Sequence, residues 1–138
     1  MAVAVDSNVV IGFLDRGDAF HAAADAKIRV LLSERELLYA SGVTYAEVLT
    51  GAKLGHHDES VVRGFFDQLI TRILPVEVDV AERAAELRGQ KKSLRMPDAL
   101  ILAGAEVSMD VDRIVCADSV ALDLAGALRC RVDPLRPG

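Results

Sequence analysis

The sequence predicts an α/β fold, a single three-layer α/β/α domain over residues 1–138 with a central parallel sheet of four to five strands. Short apolar runs of strand length alternate with longer segments whose apolar residues recur at helical spacing, which is the pattern of a parallel sheet covered by helices. A chain of 138 residues suits one domain, and its hydrophobic fraction of 51% provides a core without disulfides. The sequence shows no internal repeat, low-complexity segment or long linker.

The predicted strands are short runs of apolar residues that read as almost continuous, as strands buried on both faces do. In chain order they are residues 2–5, 37–40, 74–78, 114–116 and 128–132. Pro75 lies near the start of the third run, where a proline is tolerated at a strand beginning or a sheet edge. The fifth run precedes a Pro-rich end and is the least regular of the set.

The predicted helices lie between these strands. In chain order they are residues 8–14, 19–34, 43–54, 60–72, 80–89 and 97–107, with a short helix or turn over 118–125. Asp18, Asp58 and Asp79 are the predicted N-caps, because their carboxylates can accept hydrogen bonds from the first helical turn. Pro97 fits the first turn of its helix, where its missing N–H does no harm. That helix is apolar on almost all sides after Asp98, which predicts a central position.

Composition limits the classes of function. No apolar run approaches the roughly 18 to 20 residues that span a bilayer, and the first five residues are too short for a signal-peptide core, so we expect a soluble, cytoplasmic protein without membrane association. The net charge of −5 argues against broad electrostatic binding of nucleic acid but allows an acidic metal site beside a local basic surface. Cys116 and Cys130 form no disulfide framework and are expected to be buried.

Four carboxylates stand out by their position in the predicted fold. Asp6 follows the first strand, Glu47 lies one helical turn after Thr44, Asp98 begins the apolar helix, and Asp118 follows the fourth strand. Each alone has an ordinary explanation as a helix cap, a first-turn acid or a solvated helix residue. Together at the carboxyl ends of a parallel sheet, where α/β proteins bind ligands, they would repel each other without a cation between them. The sequence therefore predicts a site for divalent metal.

Four motifs in this order resemble a PIN-domain ribonuclease, and the length and order are similar to the VapC-type toxins of type II toxin–antitoxin pairs. The motifs are Asp6-Ser7-Asn8, Thr44-Tyr45-Ala46-Glu47, Pro97-Asp98-Ala99-Leu100 and Ala117-Asp118. The resemblance covers nearly the whole chain. Where the family often has Thr or Ser two residues before the fourth acid, this chain has Cys116, whose thiol is a weaker hydrogen-bond donor than a hydroxyl.

The resemblance implies a metal-dependent endoribonuclease that hydrolyses RNA. The implied catalytic residues, which would hold Mg²⁺ or possibly Mn²⁺ as hard cations prefer oxygen ligands, are Asp6, Glu47, Asp98 and Asp118. The residues that would orient these carboxylates or waters are Ser7, Asn8 and Thr44.

The resemblance also implies protein partners. A cognate antitoxin would lay a peptide into an apolar groove near the site, and a second copy of the chain would complete a homodimer. Phe13 or Phe66 is a candidate for lining such surfaces, but the sequence does not separate a groove from the core, in which at least two of the large apolar residues Phe13, Leu14, Phe65 and Phe66 are expected.

A basic segment precedes Asp98 and consists of Arg88, Lys91, Lys92 and Arg95. Charge runs of this kind are often solvated loops. The functional interpretation is a surface that binds the phosphates of RNA and leads them to the metal site. Arg95 is the strongest candidate, because it lies one helical turn from Asp98.

Other functions and other acids remain open on the sequence. The alternatives are a catalytically silent PIN-like binding module, a stand-alone RNA-processing nuclease, and a phosphohydrolase acting on DNA or small phosphoesters, although the chain lacks a Gly-rich phosphate loop. Asp110 and Asp112 precede the fourth strand and are expected at its other end, and Asp123 follows Asp118 closely. The pair His56-His57 is expected to be an ordinary loop, since metal sites need more ligands at suitable spacing.

Overall fold

The computed structural model describes residues 1–117 and 119–137, and within them five parallel strands form one sheet. The strands are β1 (Ala2–Val5), β2 (Leu37–Ser41), β3 (Arg72–Leu74), β4 (Val111–Cys116) and β5 (Arg131–Pro134), in the spatial order β3-β2-β1-β4-β5. The central strand β1 is completely buried and consists of the small residues Ala and Val, as a strand covered on both faces requires. The carboxyl end of β1 therefore lies at the centre of the row formed by the carboxyl ends of the five strands.

Helices cover both faces of this sheet. They are α1 (Ser7–Leu14), α2 (His21–Ser33), α3 (Gly42–Lys53), α4 (Glu59–Leu69), α5 (Val78–Gln90), α6 (Met96–Val107) and α7 (Ser119–Asp123), with a 3₁₀ turn at Ala125–Ala127. Side chains alternate along β1, so Ala2 and Ala4 join the core under α5 and α6, while Val3 and Val5 join the core under α1, α2 and α4. The predicted α/β class, its three layers and its parallel sheet are confirmed. No helix of the described residues is both long enough and apolar enough to cross a membrane.

The predicted caps are right in one case and wrong in two. Asp58 does cap α4, because its carboxylate accepts hydrogen bonds from the first turn. Asp18 does not cap α2: it accepts a hydrogen bond from the N–H of Phe20 within a turn, and α2 begins only at His21. Asp79 lies inside the first turn of α5 rather than before it. An aspartate that closes a turn and one that caps a helix have the same sequence signature, because both bond to a backbone N–H two or three residues later.

The boundaries of β3, β4 and β5 differ from the prediction, in β3 and β5 for identifiable reasons. β3 ends before Pro75 instead of continuing to residue 78, because proline lacks the N–H that would extend the ladder. It also begins earlier, since the N–H of Thr71 already donates to Leu38 and the preceding helix has ended at Leu69. β4 begins at Val111 instead of residue 114. β5 begins at Arg131 instead of residue 128, because the preceding residues bond to the end of α6.

Candidate metal centre

Asp6 is held at the carboxyl end of β1 by both of its carboxylate oxygens. It is the N-cap of α1, where Oδ1 accepts a hydrogen bond from the N–H of Val9 at 2.9 Å. Oδ2 accepts one from the N–H of Ala117, at the end of β4, at 3.2 Å. The carboxylate thus spans two neighbouring strands and is only 9% exposed. These bonds fix its orientation before any ligand arrives.

Asp98 shares one small pocket with Asp6. It lies in the first turn of α6, after Pro97, where the helix dipole favours a negative charge. This carboxylate pocket is lined by Asp6, Leu94, Asp98, Ile101, Leu102, Ile114, Cys116 and Ala121. Two acids that are far apart in sequence therefore face the same space, inside a wall that is otherwise apolar. Cys116 is part of that wall and is buried.

Glu47 is positioned by two hydroxyl groups instead of by the pocket wall. Ser7 Oγ lies 2.6 Å from Glu47 Oε1 and 3.2 Å from Thr44 Oγ1. Because a serine hydroxyl has one proton and an ionised carboxylate can only accept, Ser7 donates to Glu47 and the Thr44 hydroxyl donates to Ser7. Ser7 adjoins Asp6, so this chain of hydrogen bonds connects Glu47 on α3 to the pocket. Asn8, the third residue predicted to orient the site, is exposed.

The oxygen donors of the pocket fit a hard divalent cation. Mg²⁺ usually keeps several waters and binds proteins through one or two carboxylates together with phosphate oxygens. Asp6 and Asp98 match that mode. Among residues 1–117 and 119–137, no group of three or more His, Cys, Asp or Glu side chains forms a complete metal cage. Asp118, the fourth predicted ligand, lies outside the described residues.

The four cations of the basic segment differ in their surroundings. Arg88 Nε donates to the carbonyl oxygen of Leu94 at 2.8 Å, so it holds the loop between α5 and α6. Lys91 forms an ion pair with Asp123 on α7, with 3.2 Å between Nζ and Oδ2. Lys92 is exposed. The remaining member, Arg95, donates a hydrogen bond to the carboxylate of Asp98.

Two of the other acids lie away from the pocket. Asp110 immediately precedes β4, at the end of the sheet opposite Asp6, as expected, and Asp112 lies within β4 instead of before it. Asp110 accepts hydrogen bonds from the Tyr39 hydroxyl at 2.5 Å and from Ser108 at 2.9 Å. The bond with Asp110 raises the pKa of Tyr39, and the same bond holds the pKa of Asp110 below its ordinary value. This pair ties β2 to the loop before β4.

The two aromatic residues proposed for partner surfaces, Phe13 and Phe66, differ in their burial. Phe66 is buried and packs edge-on against Tyr45 with 4.7 Å between ring centroids, so of the two interpretations that the sequence left open it belongs to the core. Phe13 is only partly buried. It borders a groove of about 320 Å³ between α1 and α4, called here the α1–α4 groove. The other residues of that groove are Leu14, Val61, Gly64, Phe65, Gln68 and Leu69.

Comparisons with known proteins agree with this fold. The PIN domain family model matches residues 3–131. A chain of a toxin–antitoxin complex from Klebsiella pneumoniae is 28% identical, with all of both chains covered and a TM-score of 0.72. A chain of VapBC2 from Rickettsia felis, solved with a DNA fragment from its promoter, is 12% identical, with 99% of this chain and 100% of that chain covered and a TM-score of 0.72.

The toxin VapC20 from Mycobacterium tuberculosis, described as cleaving the sarcin–ricin loop, is 19% identical, with 94% of this chain and 99% of that chain covered and a TM-score of 0.68. At these lower identities the likeness shows the fold alone. A comparison with curated protein sequences found no significant match. The family match extends over nearly the whole chain and confirms the resemblance drawn from the four motifs. The chain belongs to the PIN domain family.

Proposed function

We propose that this protein is a metal-dependent endoribonuclease and the toxin of a toxin–antitoxin pair, which inhibits translation or growth by hydrolysing RNA. The observation that carries the proposal is the convergence of Asp6 and Asp98 on one pocket at the carboxyl end of the central strand. In open α/β sheets this is the place where ligands bind. The 28% identity with a chain of a toxin–antitoxin complex supports the toxin role, and membership of the PIN domain family, with two acids at the pocket, supports cleavage.

The proposal divides two tasks, holding the metal and orienting water or a proton, among the carboxylates of the site. Asp6, fixed by two backbone N–H groups, and Asp98 would hold Mg²⁺ or Mn²⁺. Glu47 uses Oε1 to accept from Ser7, so we assign its Oε2 to a water or a proton at the site. Asp118 is assigned to the same site on its sequence motif. When bound, a divalent cation supplies charge neutralisation at the phosphate and lowers the pKa of water.

The α1–α4 groove is the surface that we assign to the antitoxin. Its apolar residues include Phe13, Leu14 and Val61, and the Val61 side chain is 51% exposed. Exposed apolar grooves of this kind are typical of sites where an apolar peptide face docks. The toxin–antitoxin relative supports a protein partner for this chain.

A second surface, the edge segment of residues 72–79, is the one that we assign to a second copy of the chain. It comprises the edge strand β3 and the residues that lead into α5, and it exposes Ile73, Val76 and Val78, the last with 74% of its surface accessible. Arg72, Glu77 and Asp79 alternate with these apolar residues. A segment with both charge signs around an apolar centre can be its own partner across a twofold axis, because the Arg72 of each copy can then face an acid of the other. This supports the proposed homodimer.

The proposal predicts that Asp98→Asn abolishes RNA cleavage while the fold is retained. We expect a loss of roughly 100-fold or more, because even the loss of a residue behind a metal ligand typically costs 10- to 100-fold. Cleavage of labelled RNA is measured in Mg²⁺ and in Mn²⁺, with DNA and nitrophenyl phosphate as alternative substrates. Asp112→Asn, an exposed acid on β4, is the matched control and should cut at the wild-type rate.

Three results would contradict parts of this proposal. Wild-type cleavage by Asp98→Asn would show that the site is elsewhere. A folded wild-type protein that cuts no substrate in either metal but binds its partner tightly would be a silent binding module. RNA cleavage by a chain that no small antitoxin-like protein binds or inhibits would indicate a stand-alone RNA-processing nuclease.

A further inference from the structure

Arg95 occupies the position just before α6 and reaches across the first helical turn to Asp98. Its Nε lies 3.3 Å from Asp98 Oδ2. The Arg95 side chain is 75% exposed, whereas the Asp98 side chain is 25% exposed. The carboxylate is therefore held in the pocket wall, while the guanidinium lies mostly in solvent and can leave without disturbing the core.

This contact differs from those of the other cations in the basic segment. Arg88 is bonded to a backbone carbonyl and Lys91 to Asp123 on α7, so both have structural partners outside the carboxylate pocket. Arg95 instead contacts a carboxylate that lines the pocket together with Asp6. Within the basic segment, Arg95 is therefore the cation whose movement would change the charge beside that pocket.

A guanidinium and a divalent cation at the same carboxylate oppose each other. A Mg²⁺ ion binds carboxylate oxygen at about 2.0–2.1 Å, which would place its two positive charges within a few ångströms of Arg95. The repulsion favours release of the guanidinium. A released arginine is well suited to phosphate, which it can bind through two parallel hydrogen bonds.

We propose that Arg95 competes with the divalent cation for Asp98 and, once displaced, becomes a phosphate contact for the substrate. The inference rests on the proposed function, since it takes Asp98 as a metal ligand. It adds a coupling between the two ligands: metal releases Arg95 for RNA, and RNA that holds Arg95 removes the competitor of the metal. Linkage requires this coupling to be equal in both directions.

The test is the effect of Arg95→Gln on two separate affinities of the full chain. Mn²⁺ binding is measured by isothermal titration calorimetry without RNA. We expect its Kd to fall about twofold to fivefold, the range that loss of an exposed ion pair allows. Binding of a short fluorescent RNA is measured in Ca²⁺, used in place of Mn²⁺ to limit cleavage, and its Kd should rise. Opposite signs from one substitution distinguish competition from damage to the fold, which would weaken both.

Lys92→Gln is the matched control for charge, because it removes one positive charge from the same loop. It should weaken RNA binding but tighten Mn²⁺ binding less than Arg95→Gln does. Arg95→Lys should lie close to the wild type in Mn²⁺ affinity, because it retains the positive charge.

The outcomes separate this inference from the proposed function. If the wild type binds Mn²⁺, Asp98→Asn does not, and Arg95→Gln binds no more tightly than Lys92→Gln, the metal site is supported and the role of Arg95 is wrong. If wild type and Asp98→Asn bind Mn²⁺ equally or not at all, the metal site itself is wrong and the inference falls with it.

Discussion

Two hydroxyl groups determine how Glu47 is presented to the site. Thr44 is completely buried, and its hydroxyl donates to Ser7, which in turn donates to the carboxylate of Glu47. A buried hydroxyl without a partner costs about 1–3 kcal/mol, so the three groups stabilise one another in a single arrangement. Because Ser7 belongs to α1 while Thr44 and Glu47 belong to α3, the bonds also hold these two helices in register at the site.

Thr44→Val should therefore reduce kcat by roughly tenfold or more with little change in KM for RNA. Valine matches the shape of threonine but cannot donate, so Ser7 loses its fixed direction and Glu47 its orientation, a change of the kind that typically costs 10- to 100-fold. Steady-state cleavage kinetics measure the effect. Thr44→Ser retains the hydroxyl and should restore kcat. A variant whose melting temperature falls while kcat stays at the wild-type value would show that Thr44 is only structural.

At this scale the sequence predicts side chains better than it predicts their partners. Asp6 and Asp98 were identifiable because strand ends and helix starts can be located from apolar patterns. The N–H of Ala117, which fixes Asp6, has no sequence signature, because every residue except proline carries that group. Likewise, the sequence does not show that Arg88 and Lys91, two of the four cations in one segment, are engaged in structural contacts. Those roles depend on where α7 and the loop before α6 meet.

The end of α6 shows how one element determines where another begins. The Arg129 guanidinium donates to the carbonyl oxygens of Ser108 at 3.0 Å and Val111 at 2.9 Å, just beyond the helix. In return, the Glu106 carboxylate accepts from the N–H groups of Arg129 at 2.9 Å and Cys130 at 2.8 Å. The backbone N–H groups of Arg129 and Cys130 thus bond to α6 instead of joining the ladder with β4, and this is why β5 starts three residues later than its apolar pattern predicts. A pattern of hydrophobicity cannot reveal such a long-range exchange.

Glu106 should contribute stability that depends on pH. Burial raises its pKa, but the N–H groups of Arg129 and Cys130, together with Arg83, outweigh burial and hold the pKa below the ordinary value of 4.5. A lowered pKa in the folded state means that the stabilisation is complete above pH 4.5 and is lost as the pH falls through the folded-state pKa. We expect Glu106→Gln to lower the free energy of unfolding by about 1–3 kcal/mol at neutral pH.

Urea denaturation at several pH values measures this difference, which should shrink under acidic conditions. Glu82→Gln, at an exposed position on the neighbouring helix α5, is the control and should change stability by no more than about 0.5 kcal/mol. An equal loss in Glu106→Gln at neutral and acidic pH would contradict an electrostatic role and leave only a packing role.

Two groups of exposed apolar side chains lie on distinct surfaces of the molecule. A sheet with order β3-β2-β1-β4-β5 has edge strands at β3 and β5, and the edge segment extends the first of these with exposed Ile73, Val76 and Val78. The α1–α4 groove, with exposed Val61, is formed by helices on one face of the sheet. Separate surfaces allow two partners at once, and the sequence alone could not separate them because Phe13 and Phe66 look alike before their burial is known.

Matched substitutions of two valines should separate the two proposed partners. Val78→Asp places a charge in the edge segment and should convert a dimer into a monomer, while binding of the antitoxin is retained. Val61→Asp should weaken binding of the antitoxin and leave the dimer intact. In both variants the reason is that an unpaired charge is costly when an interface buries it. Sedimentation measures the mass of each variant, and calorimetry measures its affinity for the antitoxin.

Each variant is the control for the other, since both make the same change at an exposed valine. If Val78→Asp remains dimeric, or Val61→Asp binds the antitoxin as tightly as the wild type, the corresponding surface is assigned wrongly. A wild-type chain that is monomeric at every concentration would refute the homodimer itself.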